Sequence, residues 1–305
     1  MFCERIKVEL RSLYQKRAMG LIDDIPALVS DEFNQHISAV RAARMDYRAD
    51  QHRARKGLIS HFSFDFAQNL TLPQCADQPS DLYFRALRNV SLFGIVDESK
   101  NIQTNYLVDE FDMAKGANEV VSMLWHYLQN NRKKSKLVLN ADNMTGQNKN
   151  NTLMRFLAGL CVTNDEIEIK FMVVGHTHFL VDANFGHIKR KYRGENADII
   201  EHLANIVTAS ADSNEAVILT HKKIFNFTEG YTSQDFVAIP KIASKHYFKF
   251  MSDKPWIALV KSNLDDNWEE VSLIKKNTHQ SERVKISARI KLLKHLPPVG
   301  ISTSI

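Results

Sequence analysis

Residues Leu58–Leu72 read LISHFSFDFAQNLTL. Phe62, Phe64 and Phe66 recur at every second position, with His61, Ser63, Asp65 and Ala67 between them. Period-two alternation marks a strand with one apolar face. Aspartate is depleted in strands, so Asp65 on the polar face asks for a reason, and that reason organises the rest of the chain.

Working outward, NVSLFGIVDE (89–98) and TNYLVDEFD (104–112) read as two further strands joined by a short turn around Lys100 to Gln103. AKGANEVVSMLWHYLQNN (114–131) carries Val120, Leu124, Tyr127 and Leu128 on one stripe, which predicts an amphipathic helix. KLVLNA (136–141) is a short apolar run, as expected of a strand covered on both faces. NTLMRFLAGLC then predicts a helix, IEIKFMVVG a buried strand and VDANFGHIKRKYR a helix. The order is β-β-β-α-β-α-β-α over about residues 58–195. Short turns allow an antiparallel meander, and helical crossovers require parallel pairing.

Before this core, residues 1–57 predict an amphipathic helical arm that stops at Gly57. After it, IIEHLANIVTAS predicts a helix, and HYFKFM, WIALVKS and WEEVSLIKK three short strands. The expected organisation is an arm (1–57), a core (58–200), a helix-and-strand extension (201–274) and a basic, partly disordered tail (275–305).

Composition is that of an ordinary globular chain: 305 residues, 44% hydrophobic, 25% charged, formal net charge +5. Val271–Ile305 holds seven Lys/Arg against the single acid Glu282. Further basic clusters lie at Arg132, Lys133, Lys134 and Lys136, and at Lys189, Arg190, Lys191 and Arg193. Cys3, Cys75 and Cys161 form no CxxC pair, which argues against a zinc ribbon and suits a reducing compartment. The first residues are charged throughout and read as no secretory signal. No apolar run reaches the roughly 18 residues of a membrane span. An intracellular, nuclear protein is the expectation.

The element order resembles the ribonuclease H-like fold, shared by ribonuclease H, integrases and DDE transposases. In that fold the first and fourth strands are parallel neighbours, and the last helix packs across them. The resemblance implies an α/β core with a mixed five-stranded sheet. It puts Asp65 on the central strand, Asp142 at the end of its neighbour and Asp182 at the start of the last helix. The intervening lengths of 76 and 39 residues resemble a DDE/D arrangement. In-line phosphodiester cleavage develops charge on the attacking and leaving oxygens, and two divalent ions can stabilise both. Mg²⁺ or Mn²⁺ held by Asp65, Asp142 and Asp182 is therefore the expected cofactor. Each acid also has an ordinary structural reading: Asp182 as a helix cap, Asp142 as a turn residue, Asp65 on a solvent face.

LNADNMTGQNKNN (139–151) surrounds Asp142 with carboxamides and a lysine and leads into a helix N-terminus, a setting that attracts anions. Asn143, Gln147, Asn148 and Lys149, with Lys189 and Arg190, are the expected contacts to a nucleic-acid backbone, DNA foremost. Glu119 is a candidate fourth acid. His176, in VVGHTHF, is a candidate to assist the leaving group. Gly-His-Thr-His also resembles one motif of calcineurin-like metallophosphatases, but the Asp-x-His and Gly-Asn-His motifs of that family are missing.

FDFAQNLTLP, NYLVDE, KGANEVVSML, ADNMTGQNKNN, GHTHFLVDANFGHIKRKYR and KIASKHYFKF together resemble an uncharacterised eukaryotic domain family found in transposon-derived proteins. The likeness spans most of residues 35–265. Members often carry a cysteine-rich element upstream, missing from this sequence, so a truncated form is among the expectations. The sequence thus predicts a transposase-derived nuclease acting by two-metal cleavage or strand transfer. The alternatives are a catalytically silent nucleic-acid-binding or assembly module and a metallophosphoesterase. Homo-oligomerisation is compatible with each, and membrane association is not expected.

Overall fold

The alternating run forms β1 (Ser60–Phe66), the strand around which the molecule is built. The structure, a computed structural model, describes residues 2–22, 27–77, 79–131, 134–161, 165–173, 175–176, 178–231, 235–275 and 293–299. β1 pairs antiparallel with β3 (Arg88–Asp97), which pairs antiparallel with β4 (Ile102–Asp109). On its other side β1 runs parallel to β5 (Lys136–Ala141), and β5 parallel to β6 (Glu166–Phe171). The meander and the parallel crossovers lie where the alternation and the helical spacers put them.

The sheet is larger than the five strands expected. β2 (Leu70–Leu72) adds to β3, and β7 (Asn214–Ile218) pairs parallel to β4 at one edge. At the other side β8 (Tyr247–Met251), β9 (Ile257–Lys261) and β10 (Glu269–Ser272) continue antiparallel from β6. Ten strands therefore form one mixed sheet among the described residues. The three strands expected in a C-terminal extension are part of the same sheet. The reason is that β6 presents Ile167 and Ile169, both buried, and backbone groups that must be paired.

Helices cover both faces. One face of the sheet buries Phe62, Phe64, Ile95, Leu139 and Ile169 against α4 (Ala117–Asn131), α5 (Asn151–Leu160) and the short α8 (Phe227–Gly230). The other face packs against α2 (Ala27–Arg55), α6 (Leu180–Arg193) and α7 (Ile200–Thr208). Helix α1 (Phe2–Ala18) lies against α2, so the expected single arm is a helical pair, and α3 (Ser80–Tyr83) is one turn in the loop before β3. Gly57 ends α2 with φ +73° and Leu58 N donates to Arg53 O, the left-handed termination that glycine permits.

Gly94 fixes where α6 crosses. A Cβ there would stand 2.8 Å from the Phe185 ring and 2.6 Å from Gln103 Nε2. Only the missing side chain lets Phe185 press onto β3, and Gly94 is the residue opposite Asp65. The disorder expected of the tail concerns mainly residues 276–292 and 300–305, which lie outside the described residues. Leu296 N donates to Ile224 O, so the segment near it packs on the body of the protein.

Candidate active site

Register brings two of the expected acids together. Phe64 is the partner of Ala141 across the parallel β1–β5 pair. Asp65 and Asp142 are the residues that follow this last pair, and the charge of Asp142 acts on Asp65. Both follow residues of the α4/α5 face, so alternation turns both toward the α2/α6 face. The crossing of α6 at Gly94 brings Asp182, in its first turn, to that same face.

Electrostatics reports the same convergence. The Asp65 carboxyl is pushed up to about 7, first by burial and then by the negative charge of Asp142, with a smaller push from Asp182. The Phe66 N–H and the Lys115 ammonium oppose the shift. Two acids distant in sequence therefore act on Asp65, as nearby like charges do.

Each aspartate commits one oxygen to the protein. Asp65 Oδ1 accepts from Phe66 N at 2.8 Å. Asp142 Oδ1 accepts from Met144 N at 3.1 Å and from Asn148 Nδ2 at 2.6 Å. Asp182 Oδ2 accepts from Phe179 N at 2.8 Å, so its ordinary role as a helix cap is also filled. Among the described residues, Asp65 Oδ2, Asp142 Oδ2 and Asp182 Oδ1 have no hydrogen-bond donor. Hard, anionic oxygens of this kind are the ligand type that divalent cations such as Mg²⁺ prefer. Asn148, fully buried, also leaves its Oδ1 without a partner. No three carboxylate, imidazole or thiolate groups among the described residues are gathered tightly enough to make a ready-formed ion cage. Mutual repulsion opposes such gathering in the ion-free protein.

Lys115 belongs to this site and was missed in the sequence. Its Nζ lies 4.9 Å from the centroid of the Phe66 ring, and its charge interacts with Asp65. Burial lowers the affinity of this ammonium for its proton, and Asp65 works in the opposite direction. A lone lysine in a loop carries no sequence signal; its place against Phe66 and the Ala67 carbonyl is visible only after folding.

The other expected residues divide. Glu119 is buried on α4 and accepts from its own and the Gly116 backbone N–H; burial raises its carboxyl. It is not among the charges that act most on Asp65. Lys149 is a correction: it is 1% exposed, and Nζ donates to Asn143 Oδ1 at 3.0 Å and Ala243 O at 2.9 Å. Burial pulls its ammonium down to about 8. It braces the loop from inside and does not face a surface phosphate. Asn148 is likewise turned inward, onto Asp142. Asn143 donates to Met172 O and ties the loop to the end of β6. Gln147 is half-buried and its carbonyl accepts from Asn150 Nδ2 at 2.9 Å. Arg190 is exposed and Lys189 half-buried on α6. Arg190 lies eight residues, about 12 Å along the axis, from Asp182. Arg132 and Lys133 lie outside the described residues, and Lys136 is paired with Glu166 at 2.5 Å.

His176 sits in the loop between β6 and α6. Its carbonyl and that of His178 both accept from Arg44 of α2, at 3.2 and 2.5 Å, and its ring stands 5.3 Å from that of His36. The next anchor is Tyr47, which donates to Glu98 at 2.6 Å, accepts from Leu180 N at 3.4 Å and packs on Phe179. Glu98 is buried and also accepts from Ser63 and from Gln51 at 2.8 Å. Helix α2 therefore holds the start of α6, and with it Asp182, through a buried polar network.

A family model described as a domain of unknown function, DUF7869, matches residues 86–264, more than half of the chain. The matched segment takes in Asp142 and Asp182 and begins after Asp65. No curated protein and no solved structure matches significantly.

Proposed function

The chain belongs to the DUF7869 family, a domain of unknown function, and on that premise we propose that it is a ribonuclease H-like domain, derived from a transposase, that cleaves or joins phosphodiester bonds in nucleic acid. The sheet order β4-β3-β1-β5-β6, with β1 parallel to β5 and β5 to β6, supports the fold assignment. The observation that carries the function is the closeness of Asp142 and Asp182 to Asp65, each of the three with one oxygen free of donors among the described residues.

Asp65, Asp142 and Asp182 would hold Mg²⁺ or Mn²⁺. When bound, such ions polarise the phosphoryl oxygen and stabilise the attacking and leaving oxygens. The protein's own part is positional. The parallel β1–β5 pair would set Asp65 and Asp142 close together, and the Gly94 crossing and the Tyr47 network would hold Asp182 nearby. Asn148 orients Asp142 by its hydrogen bond. Lys115 adds a fixed positive charge beside Asp65, where a phosphate oxygen can be met. Arg190 stands along α6 in reach of the flanking backbone.

The test is incubation of the purified protein with labelled single- and double-stranded DNA, RNA and hybrid in Mg²⁺ or Mn²⁺. Metal-dependent nicking or strand transfer is expected, lost in Asp142→Asn. Failure of well-folded protein to act on any of these would refute turnover. A binding module of the same fold without turnover is the second reading, favoured by the engagement of Asp182 as a helix cap.

A further inference from the structure

We infer that the outward face of α2 is a binding surface for the phosphate backbone of a nucleic-acid duplex. Exposed positions of this helix include 34, 38, 41, 45, 48, 52 and 55, alternating steps of four and three residues, with Asp31, Glu32, Gln35 and Ala49 exposed beside them. From its middle onward they are Arg41, Met45, Arg48, His52 and Arg55, followed by Lys56. Arg41 to Arg55 covers fourteen residues, about 21 Å of helix. That length matches about six phosphates of one strand at 3.4 Å each.

Asp31 and Glu32 are exposed near the start of the helix, but from Arg41 onward sorting of charge makes the exposed face one-signed. The only acids between Arg41 and Lys56 are Asp46, half-buried, and Asp50, fully buried. Lys170 bridges them, at 2.7 and 2.6 Å, and Arg53 also reaches Asp50. Among the described residues Arg41, Arg48, Arg55 and Lys56 have no carboxylate partner. An exposed helical face normally interleaves acids with bases, which gains intrahelical pairs. From Arg41 onward that option is not used, and a row of guanidinium groups without a carboxylate partner among the described residues suits a polyanion by charge.

A duplex fits better than an anionic membrane. Surface-seeking helices present a broad apolar face to lipid. The apolar side of α2 is already spent, because Ala43, Tyr47 and Ala54 pack on the sheet. Met45 is the only large apolar side chain on the outward stripe. This inference draws on the proposed function only for the choice of polyanion.

The experiment measures binding of the full chain to a fluorescein-labelled 20-base-pair DNA duplex by anisotropy, across a salt series in EDTA. The variant is Arg41→Gln/Arg48→Gln/Arg55→Gln, compared with Lys222→Gln/Lys223→Gln/Lys241→Gln as a charge-matched control outside α2. The ridge variant is expected to lower the slope of log K against log salt by about 2.7, at about 0.9 per phosphate contact. The control is expected to keep most of the slope, and circular dichroism to show both folded. An unchanged slope in the ridge variant, or an equal fall in the control, overturns the inference. So does wild-type protein that ignores the duplex and binds phosphatidylserine vesicles. Nicking is read separately: duplex binding through α2 with no nicking keeps this surface and refutes the catalytic reading, whereas nicking with an intact ridge-variant slope does the reverse.

Discussion

Replacing Asp65 by Asn should stabilise the ion-free protein, and more at pH 8 than at pH 5. The carboxyl of Asp65 is raised from 3.8 to about 7 in the folded state. Between those values the native state holds a proton that the unfolded chain has released. Stability therefore falls as pH rises through this window and levels off above about 7. From pH 5 to 7 the fall is about 2.7 kcal/mol at 1.36 kcal/mol per unit. Partial exposure and screening reduce this to about 1–2 kcal/mol. Asparagine has no such dependence, so the gain of Asp65→Asn at pH 8 should exceed its gain at pH 5 by that amount. Urea unfolding in EDTA at the two pH values measures it. Magnesium should then stabilise the wild type at pH 8 and leave the variant nearly unmoved. An equal effect at both pH values, or a variant less stable than wild type at pH 8, would show that burial and neighbouring charge do not hold the Asp65 carboxyl above its ordinary range.

Gly94→Ala should cost about 1–3 kcal/mol in urea unfolding, because the added methyl meets the Phe185 ring and Gln103, and overpacking of this kind is destabilising. Lys149→Gln should lower stability by about 1–3 kcal/mol by leaving the Ala243 carbonyl without its donor, while duplex affinity measured by anisotropy stays at the wild-type value. Lys170→Met should destabilise by about 3 kcal/mol in the same unfolding assay, since Asp50 is fully buried and would keep only Arg53.

Much of the site was legible because it rests on local signals. Alternation placed Asp65 on the polar face of β1, the apolar run KLVLNA placed Asp142 at a strand end, and Gly57 marked the end of α2. What stayed hidden depends on partners far along the chain. Lys170 lies in IEIKF, where a lysine reads as a solvent-facing residue, yet it is buried on Asp46 and Asp50, 124 and 120 residues away. Lys149 looked like a phosphate ligand because lysine is seldom buried; its partners, a carboxamide and a backbone carbonyl, leave no charge pattern to read. Strand β7 was missed since NEAVI is short and half-exposed at a sheet edge, where the apolar signal is weak. Lys115 and the Gly94 crossing emerge only from packing.

Crystals of the wild-type protein soaked in Mn²⁺, with anomalous diffraction to locate the ions, test the central claim most directly. The account predicts manganese between Asp65, Asp142 and Asp182, bound through the carboxylate oxygens that have no donor among the described residues. Manganese bound elsewhere, or none at all with the three side chains still apart, would contradict it.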